Sequence, residues 1–207
     1  MGIMLVARRQ ACPGQGDALA TAIVRLVGGP SSWPVGLDTV QVFRHEDDPN
    51  QFLSLSAWAS HEAYRASTAE AAATQLDGLS AAPVARYFFR PWVSYQMPGA
   101  RATAIEAAIL SYTREQTESV YLFVLREATR RLRGTPGFCY RQLFRDLEAA
   151  NRLLVVLGWD SPTTLEAFRR DVRPTFEERQ PPAGVTMDHF VGILDIDLQR
   201  AGHSLAS

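Results

Sequence analysis

Hydrophobic and polar positions alternate in one stretch of the chain, and that stretch occurs twice. In residues 36–58 (GLDTVQVFRHEDDPNQFLSLSAW) two alternating runs flank a polar turn at 47–50, which predicts a β-hairpin. Residues 137–159 (GFCYRQLFRDLEAANRLLVVLGW) repeat this pattern without a gap. The identical pairs are Gly36/Gly137, Gln41/Gln142, Phe43/Phe144, Arg44/Arg145, Asn50/Asn151, Leu53/Leu154 and Trp58/Trp159. A period this long, present twice, indicates a duplicated domain rather than a solenoid.

The rest of the pattern predicts the same order of elements, β-α-β-β-α-β, in both copies. Copy one has predicted strands at 4–9, 40–43, 52–58 and 84–97 and helices at 18–26 and 60–79, the second of which is predicted to be interrupted near Ser67 and Thr68. Copy two has predicted strands at 107–112, 140–144, 153–157 and 185–196 and helices at 118–132 and 161–176. Ser60 and Ser161, just after the two Trp residues, are suited to cap the helices that follow.

This order of elements predicts an α+β fold. The predicted fold consists of two ferredoxin-like (βαββαβ) repeats whose antiparallel sheets pack together as an intrachain α/β barrel. In such a repeat both helices cover one face of the sheet, so the other face needs a cover that a second sheet can provide. The predicted boundaries are 1–98 and 101–198 for the repeats and 199–207 for a flexible tail.

Composition and charge limit the kinds of molecule that the protein is expected to bind. The net charge of −1 at pH 7 gives no long-range attraction to nucleic acid or to an anionic membrane. No run of eighteen apolar residues and no signal-peptide pattern occurs, so we expect a cytoplasmic protein that does not bind membranes. Cys12 and Cys139 are too few for a disulfide framework. No cofactor motif and no metal-ligand spacing of the four His residues is present, so no cofactor is expected.

The segment FLSLSAWASHEAYRAS (residues 52–67), following the strand GLDTVQVFR, resembles the antibiotic biosynthesis monooxygenase family of dimeric α/β barrels. In that family two chains usually pair their sheets, and this chain is similar to a fused, tandem version. The resemblance implies a monomer that is a pseudo-dimer, or a homodimer. The superfamily holds anthrone and quinol oxygenases, haem-degrading enzymes, isomerases and proteins without known activity, so the fold alone does not assign a function.

The resemblance also implies site residues. Anthrone-oxidising members carry a Trp and a Tyr at the spacing of Trp58 and Tyr64, and these line the substrate cavity. An aromatic slot with a phenol suits a flat phenolic substrate. The family's oxygenases carry an Asn at the position of Ser54, so this chain lacks that amide. Ser54 and Ser56 share a strand face with Trp58 and are expected to bind substrate.

Three further residues in copy one are candidates for handling charge. His61 lies on the first helical turn beside Trp58 and can act as a base near pH 7. Arg86 and Arg90 lie four apart on one strand, hence on one face, where a cation can stabilise an enolate or superoxide. We therefore predict Tyr64, His61 and Arg86 as catalytic residues and place Arg90 in substrate binding.

Copy two departs from this pattern. Val155 and Leu157 replace the two small serines, and Leu165 or Phe168 stands where Tyr64 stood. Because bulky apolar side chains close a cavity, we predict the main cavity in copy one and a filled or degenerate cavity in copy two. The polar candidates left in copy two are Tyr112, Asp188 and His189.

The resemblance, together with these residues, implies a cofactor-independent monooxygenase that oxidises an aromatic polyketide or a related phenolic intermediate to a quinone with O2. Two alternatives stay open: a cofactor-free cyclase or isomerase of a biosynthetic pathway, and a non-catalytic small-molecule-binding module. Haem degradation is disfavoured, because the relatives that degrade haem carry a His ligand where this chain has Thr68.

Overall fold

A computed structural model of the chain describes residues 2–28, 33–67, 74–178 and 185–197. Eight strands lie in these ranges: β1 Ile3–Gln10, β2 Leu37–His45, β3 Gln51–Trp58, β4 Ala85–Gln96, β5 Ala104–Ser111, β6 Phe138–Asp146, β7 Arg152–Trp159 and β8 Thr186–Asp197. The helices of the first repeat are α1 Gly16–Gly28 and α2 His61–Ala66. Those of the second are α3 (segments Thr117–Leu122, Phe123–Ala128 and Thr129–Arg133) and α4 (segments Pro162–Ala167, Phe168–Val172 and Arg173–Glu178).

The strands are hydrogen-bonded in the order β1-β3-β2-β8-β5-β7-β6-β4 and form a closed antiparallel barrel. Each repeat contributes four strands in the order that a ferredoxin-like sheet requires, β4-β1-β3-β2 and β8-β5-β7-β6. The predicted fold class is therefore confirmed. By compactness the chain divides into two units, Met1–Pro91 with Phe190–Ser207 (unit 1) and Trp92–His189 (unit 2). The repeat boundaries inferred from the sequence stay a prediction.

In unit 1, helix α1 covers one end of the sheet and α2 the other. Leu19 and Ile23 of α1 pack with Val42 and Phe52 in one buried cluster. Tyr64 of α2 packs with Trp58 in a second cluster. Phe52 and Trp58 share one face of β3, so that face is the one covered by helices. Ser54 and Ser56 lie between them on the same face, as the alternation predicted.

In unit 2, both helices contain a turn with π-helical hydrogen bonding. One π segment is Phe123–Ala128 in α3 and the other is Phe168–Val172 in α4. Val120 and Val124 of α3 pack on Leu143 and Leu153 of the sheet. A π turn widens a helix locally and is frequent at functional sites. Sequence periodicity predicted both helices but gave no sign of these turns.

The conserved positions of the repeated motif also have the same structural roles in the two copies. Ser60 Oγ accepts the backbone N–H of Ala63 at 3.1 Å, and Ser161 Oγ accepts that of Thr164 at 3.2 Å. Both predicted N-caps are therefore present. Gly36 and Gly137, 101 positions apart, both adopt positive φ, at 86° and 77°, which favours glycine at the start of β2 and β6.

Some predictions concern residues outside the described ranges. The tail at 199–207 and Thr68, near which the second helix of copy one was predicted to be interrupted, belong to this group. Helix α2 ends at Ala66, in line with that interruption. Among the described residues, none of the helices is both long and apolar enough to cross a bilayer.

Candidate functional site

Strand register places the predicted site residues of unit 1 on one face of the sheet. Ser54 of β3 is opposite Ala7 of β1, and Ala7 is opposite Arg86 of β4. Directly opposed residues point to the same side, so Ser54 and Arg86 share a face. In the next row Ser56 is opposite Leu5, which is opposite Phe88. Because Phe88 contacts Tyr64 of α2, this is the helix-covered face.

Four rings form a contiguous aromatic cluster at the α2 end of this face. The ring centroids of Trp58 and Tyr64 lie 5.4 Å apart in an edge contact, and those of Tyr64 and Phe88 lie 5.7 Å apart. The His61 ring lies 4.7 Å from Phe88 and is parallel to Tyr64 at 6.5 Å. Trp58 and Tyr64 are only 2% and 6% exposed. The structure thus brings together Trp58, Tyr64 and His61, as a packed wall with a phenol and an imidazole.

Ser56 has a defined role in this wall. The indole Nε1–H of Trp58 donates to Ser56 Oγ at 2.9 Å. In the second repeat Leu157 stands at the position of Ser56, and the buried Nε1 of Trp159 has no hydrogen-bond partner among the described residues. The serine therefore satisfies the polar atom of the tryptophan in copy one, and its loss leaves that atom unsatisfied in copy two.

Ser56→Ala is expected to lower the free energy of unfolding by about 1–3 kcal/mol, since it leaves the buried indole N–H of Trp58 without an acceptor. Ser54→Ala is the matched control, because Ser54 lies on the same strand face, four residues before Trp58, while the indole N–H donates to Ser56. Urea denaturation of both variants measures the difference. Equal losses in the two variants would contradict the assigned role of Ser56.

The structure adds a buried arginine that sequence analysis did not single out. Arg9 of β1 is opposite Phe52 on the helix-covered face and only 3% exposed. Its Nη1 lies 3.7 Å from Asp77 Oδ1. Burial lowers the pKa of Arg9, and the nearby charge of Arg86 lowers it further, against the opposing effect of Asp77. Arg9 and Arg86 thus form one positive region, while Arg90 is exposed on the same face of β4.

The cavity predicted beside Trp58 and Tyr64 stays a prediction, because residues 68–73, which follow α2, are outside the described part of the chain. An open depression of about 580 Å³ does occur in unit 1, where α1 meets the turn Asp77–Leu79. Its lining includes Ala22, Leu26 and Leu76 but neither Trp58 nor Tyr64.

Unit 2 contains a cavity of about 90 Å³ on the helix-covered face of its sheet. The interior of the second repeat is therefore not completely filled, and the placement of the main cavity in copy one stays a prediction. Phe168 does pack on Trp159, with ring centroids 4.5 Å apart, and so takes the place of Tyr64. The Phe168 ring closes only one side of the cavity. The lining residues are Glu106, Ala108, Phe123, Val124, Ala128, Leu132, Arg141, Val155, Leu157, Phe168, Arg173, Met187 and His189.

Of the three polar candidates in copy two, only His189 lines this cavity. The hydroxyl of Tyr112 donates to the carbonyl of Ala150 at 3.1 Å, and the backbone carbonyl of Tyr112 accepts from Asn151 Nδ2 at 2.8 Å. Burial, with a contribution from Tyr121, raises the pKa of Tyr112 well above its usual range. Tyr112 therefore ties the end of β5 to the hairpin and stays protonated at neutral pH.

Sequence reasoning missed Glu106 and Arg141, which are 5% and 2% exposed. Both are opposite Leu157 of β7, one on each neighbouring strand, so they flank it on the cavity face. The available signal was their spacing: each lies two residues before an apolar residue, Ala108 or Leu143, that faces the helices. Within the described ranges, no group of three His, Cys, Asp or Glu residues is arranged to hold a metal ion.

Comparison with known proteins supports the family resemblance and the fold. Residues 2–76 match the sequence profile of the family "antibiotic biosynthesis monooxygenase". A crystal structure of an anthrone oxidase-like protein superposes with a TM-score of 0.66 and 13% identity, covering 95% of this chain and 93% of that one. A comparison with curated proteins found no significant match.

Two bacterial proteins described as proposed monooxygenases have the same fold. The one from Fusobacterium nucleatum has a TM-score of 0.69 and 9% identity, with 95% of this chain and 94% of that chain covered. The one from Lactobacillus acidophilus has a TM-score of 0.65 and 9% identity, with coverages of 95% and 96%. At these identities the likeness shows the fold alone. The resemblance predicted from the sequence is thus confirmed over residues 2–76, the part of the chain that matches the antibiotic biosynthesis monooxygenase family.

Proposed function

We propose that the chain is a cofactor-independent monooxygenase that oxidises an aromatic polyketide or a related phenolic intermediate to a quinone with O2. The observation that carries the proposal is the aromatic wall of Trp58, Tyr64 and Phe88, placed on the same strand face as Ser54 and Arg86. Trp58, Tyr64 and Ser54 belong to residues 2–76, the part of the chain that matches the monooxygenase family. The anthrone oxidase-like neighbour of similar fold supports the choice of substrate class.

The chemistry needs little from the protein. An anthrone-type CH2 group loses a proton to a base and becomes a delocalised carbanion. The carbanion gives one electron to O2, and the resulting substrate radical and superoxide combine, with a proton, to a hydroperoxide. The hydroperoxide loses water and leaves a carbonyl group, so one oxygen atom enters the quinone and the other leaves in water. The protein has to orient the ring, exclude water and stabilise the anion.

The residues of unit 1 supply these functions in the proposal. His61 takes the proton, because its imidazole lies beside Tyr64 and Phe88. Tyr64 donates a hydrogen bond to the substrate oxygen, and Arg86 stabilises the carbanion and superoxide. Trp58 provides a flat surface for stacking. Ser54, Ser56 and Arg90 bind the polar edge of the substrate.

Oxygen uptake with anthrone as the substrate tests the proposal. The purified protein is expected to consume one O2 per quinone formed, with no added cofactor. Tyr64→Phe is expected to lower kcat about 100-fold, since it removes one donor to the developing anion. Tyr87→Phe is the matched control, because Tyr87 neighbours Phe88 on β4 but points to the opposite face.

Two results would contradict the proposal. Anthrone conversion without oxygen consumption would indicate a cyclase or isomerase instead. Saturable anthrone binding without any turnover would indicate a binding module. Equal activity of Tyr64→Phe and Tyr87→Phe would remove Tyr64 from the mechanism.

A further inference from the structure

The unit 2 cavity has an apolar wall with a small number of convergent charged groups. Its apolar lining comes from the sheet through Ala108, Val155 and Leu157, and from the helices through Phe123 and Phe168. The charged lining residues are Glu106, Arg141 and Arg173, and His189 adds an imidazole. A concave apolar site with a few placed polar groups is the usual form of a small-molecule site.

Arg141 is the feature that packing alone does not explain. It is only 2% exposed, and its Nη1 donates to the carbonyl of Val124 at 2.5 Å. Its buried Nε has no hydrogen-bond partner among the described residues. Burial, and next the charge of Arg133, lowers the pKa of the guanidinium to about 10, so Arg141 stays charged at neutral pH.

The first repeat shows what a purely structural residue looks like at this position. Val40, 101 positions earlier, is opposite Ser56 as Arg141 is opposite Leu157. It is buried and apolar. An arginine at this position buries a charged guanidinium away from water. That burial costs free energy unless an anion compensates the charge. The fold therefore does not require Arg141, and a ligand that supplies an anionic oxygen accounts for it.

Charge and size define that ligand. The lining carries the guanidinium groups of Arg141 and Arg173 and the carboxylate of Glu106, and the buried Nε of Arg141, without a partner among the described residues, favours an anionic ligand. A single water needs about 10–15 Å³ of cavity volume. The cavity of about 90 Å³ therefore fits one small ring rather than a polycyclic system.

The helices above the cavity depart from regular geometry at the same place. Phe123, Val124 and Ala128 of the π segment in α3 line the cavity, as does Phe168 of the π segment in α4. Val124 also supplies the carbonyl that Arg141 binds. Both π turns thus border one cavity, as expected where helices are adapted to a ligand.

We propose that the unit 2 cavity binds a small monocyclic aromatic acid, with the acid group on Arg141 and the ring against Phe123, Leu157 and Phe168. The site is separate from the proposed oxygenase site, because its residues all belong to the second repeat. The proposal for the unit 2 cavity does not depend on oxygenase activity, since its test measures ligand binding.

Fluorine NMR titration of the full chain with 4-fluorobenzoate tests the proposal, with 4-fluorobenzamide as the uncharged probe of equal shape. The wild-type protein is expected to bind the benzoate at least tenfold more tightly than the benzamide. Arg141→Val, which restores the residue of the first repeat, is expected to weaken benzoate binding at least tenfold and to leave benzamide binding unchanged. Arg130→Ala, which removes an exposed charge of α3, is expected to change neither.

A second variant keeps the test decisive if Arg141→Val does not fold. Ala108→Leu retains Arg141 but fills the cavity, and it is expected to abolish binding of both probes. Tyr87→Phe, in the other repeat and outside both proposed sites, is expected to leave both affinities unchanged. Equal affinity for benzoate and benzamide, no benzoate binding at millimolar concentration, or unchanged benzoate binding in Ala108→Leu would overturn the proposal.

Discussion

Phe168→Ala is expected to lower the free energy of unfolding by about 3–5 kcal/mol. The Phe168 side chain is only 5% exposed, and its ring centroid lies 4.5 Å from that of Trp159. The ring also lines the unit 2 cavity. Its removal loses buried apolar surface and enlarges a space that already exists, and both effects are unfavourable. Urea denaturation followed by circular dichroism measures the change.

Two variants provide the comparison. Phe168→Leu keeps most of the side-chain volume and is expected to cost less than about 1.5 kcal/mol. Leu122→Ala, at a position 47% exposed in α3, is expected to change stability by less than about 0.5 kcal/mol. A loss below about 1 kcal/mol in Phe168→Ala would show that the ring does not pack as described.

The fold could be predicted from the sequence because each local signal was strong and occurred twice. Alternation gave the hairpins, since Phe52 and Trp58 must share a face if they are both in a strand. Serine after each Trp gave the two helix starts. The family resemblance predicted that Trp58 and Tyr64 line one substrate cavity, which stays a prediction, and the structure adds that their two rings are in contact.

The charged groups of the interior could not be predicted in the same way. Arg9, Glu106 and Arg141 are far apart in sequence, and only strand register shows what each one faces. From the sequence alone a charged residue is predicted to be exposed, because most charged residues are. The π turns were also invisible, because they change hydrogen bonding without changing the helical spacing of apolar residues. The cavity in the second repeat depends on both features, and the sequence therefore predicted a filled core there.

Gly137→Ala is expected to destabilise the protein by about 2–5 kcal/mol, the sum of two effects. Gly137 has φ of 77°, in the region where a side chain costs energy. A Cβ there would also lie 2.5 Å from the Cβ of Thr164. Thr164 cannot move away freely, because its Oγ1 donates to Asp160 Oδ1 at 2.6 Å and its N–H binds the cap Ser161.

Gly99→Ala separates the two effects. Gly99 has φ of 72°, but a Cβ added to it meets nothing within 4 Å. It should therefore show only the backbone cost, about 1–2 kcal/mol. The excess loss in Gly137→Ala, measured by thermal unfolding of both variants, then reports the close approach between the start of β6 and the first turn of α4. Equal losses would show that this approach is not rigid, and the identity of Gly36 and Gly137 would then be explained by backbone conformation alone.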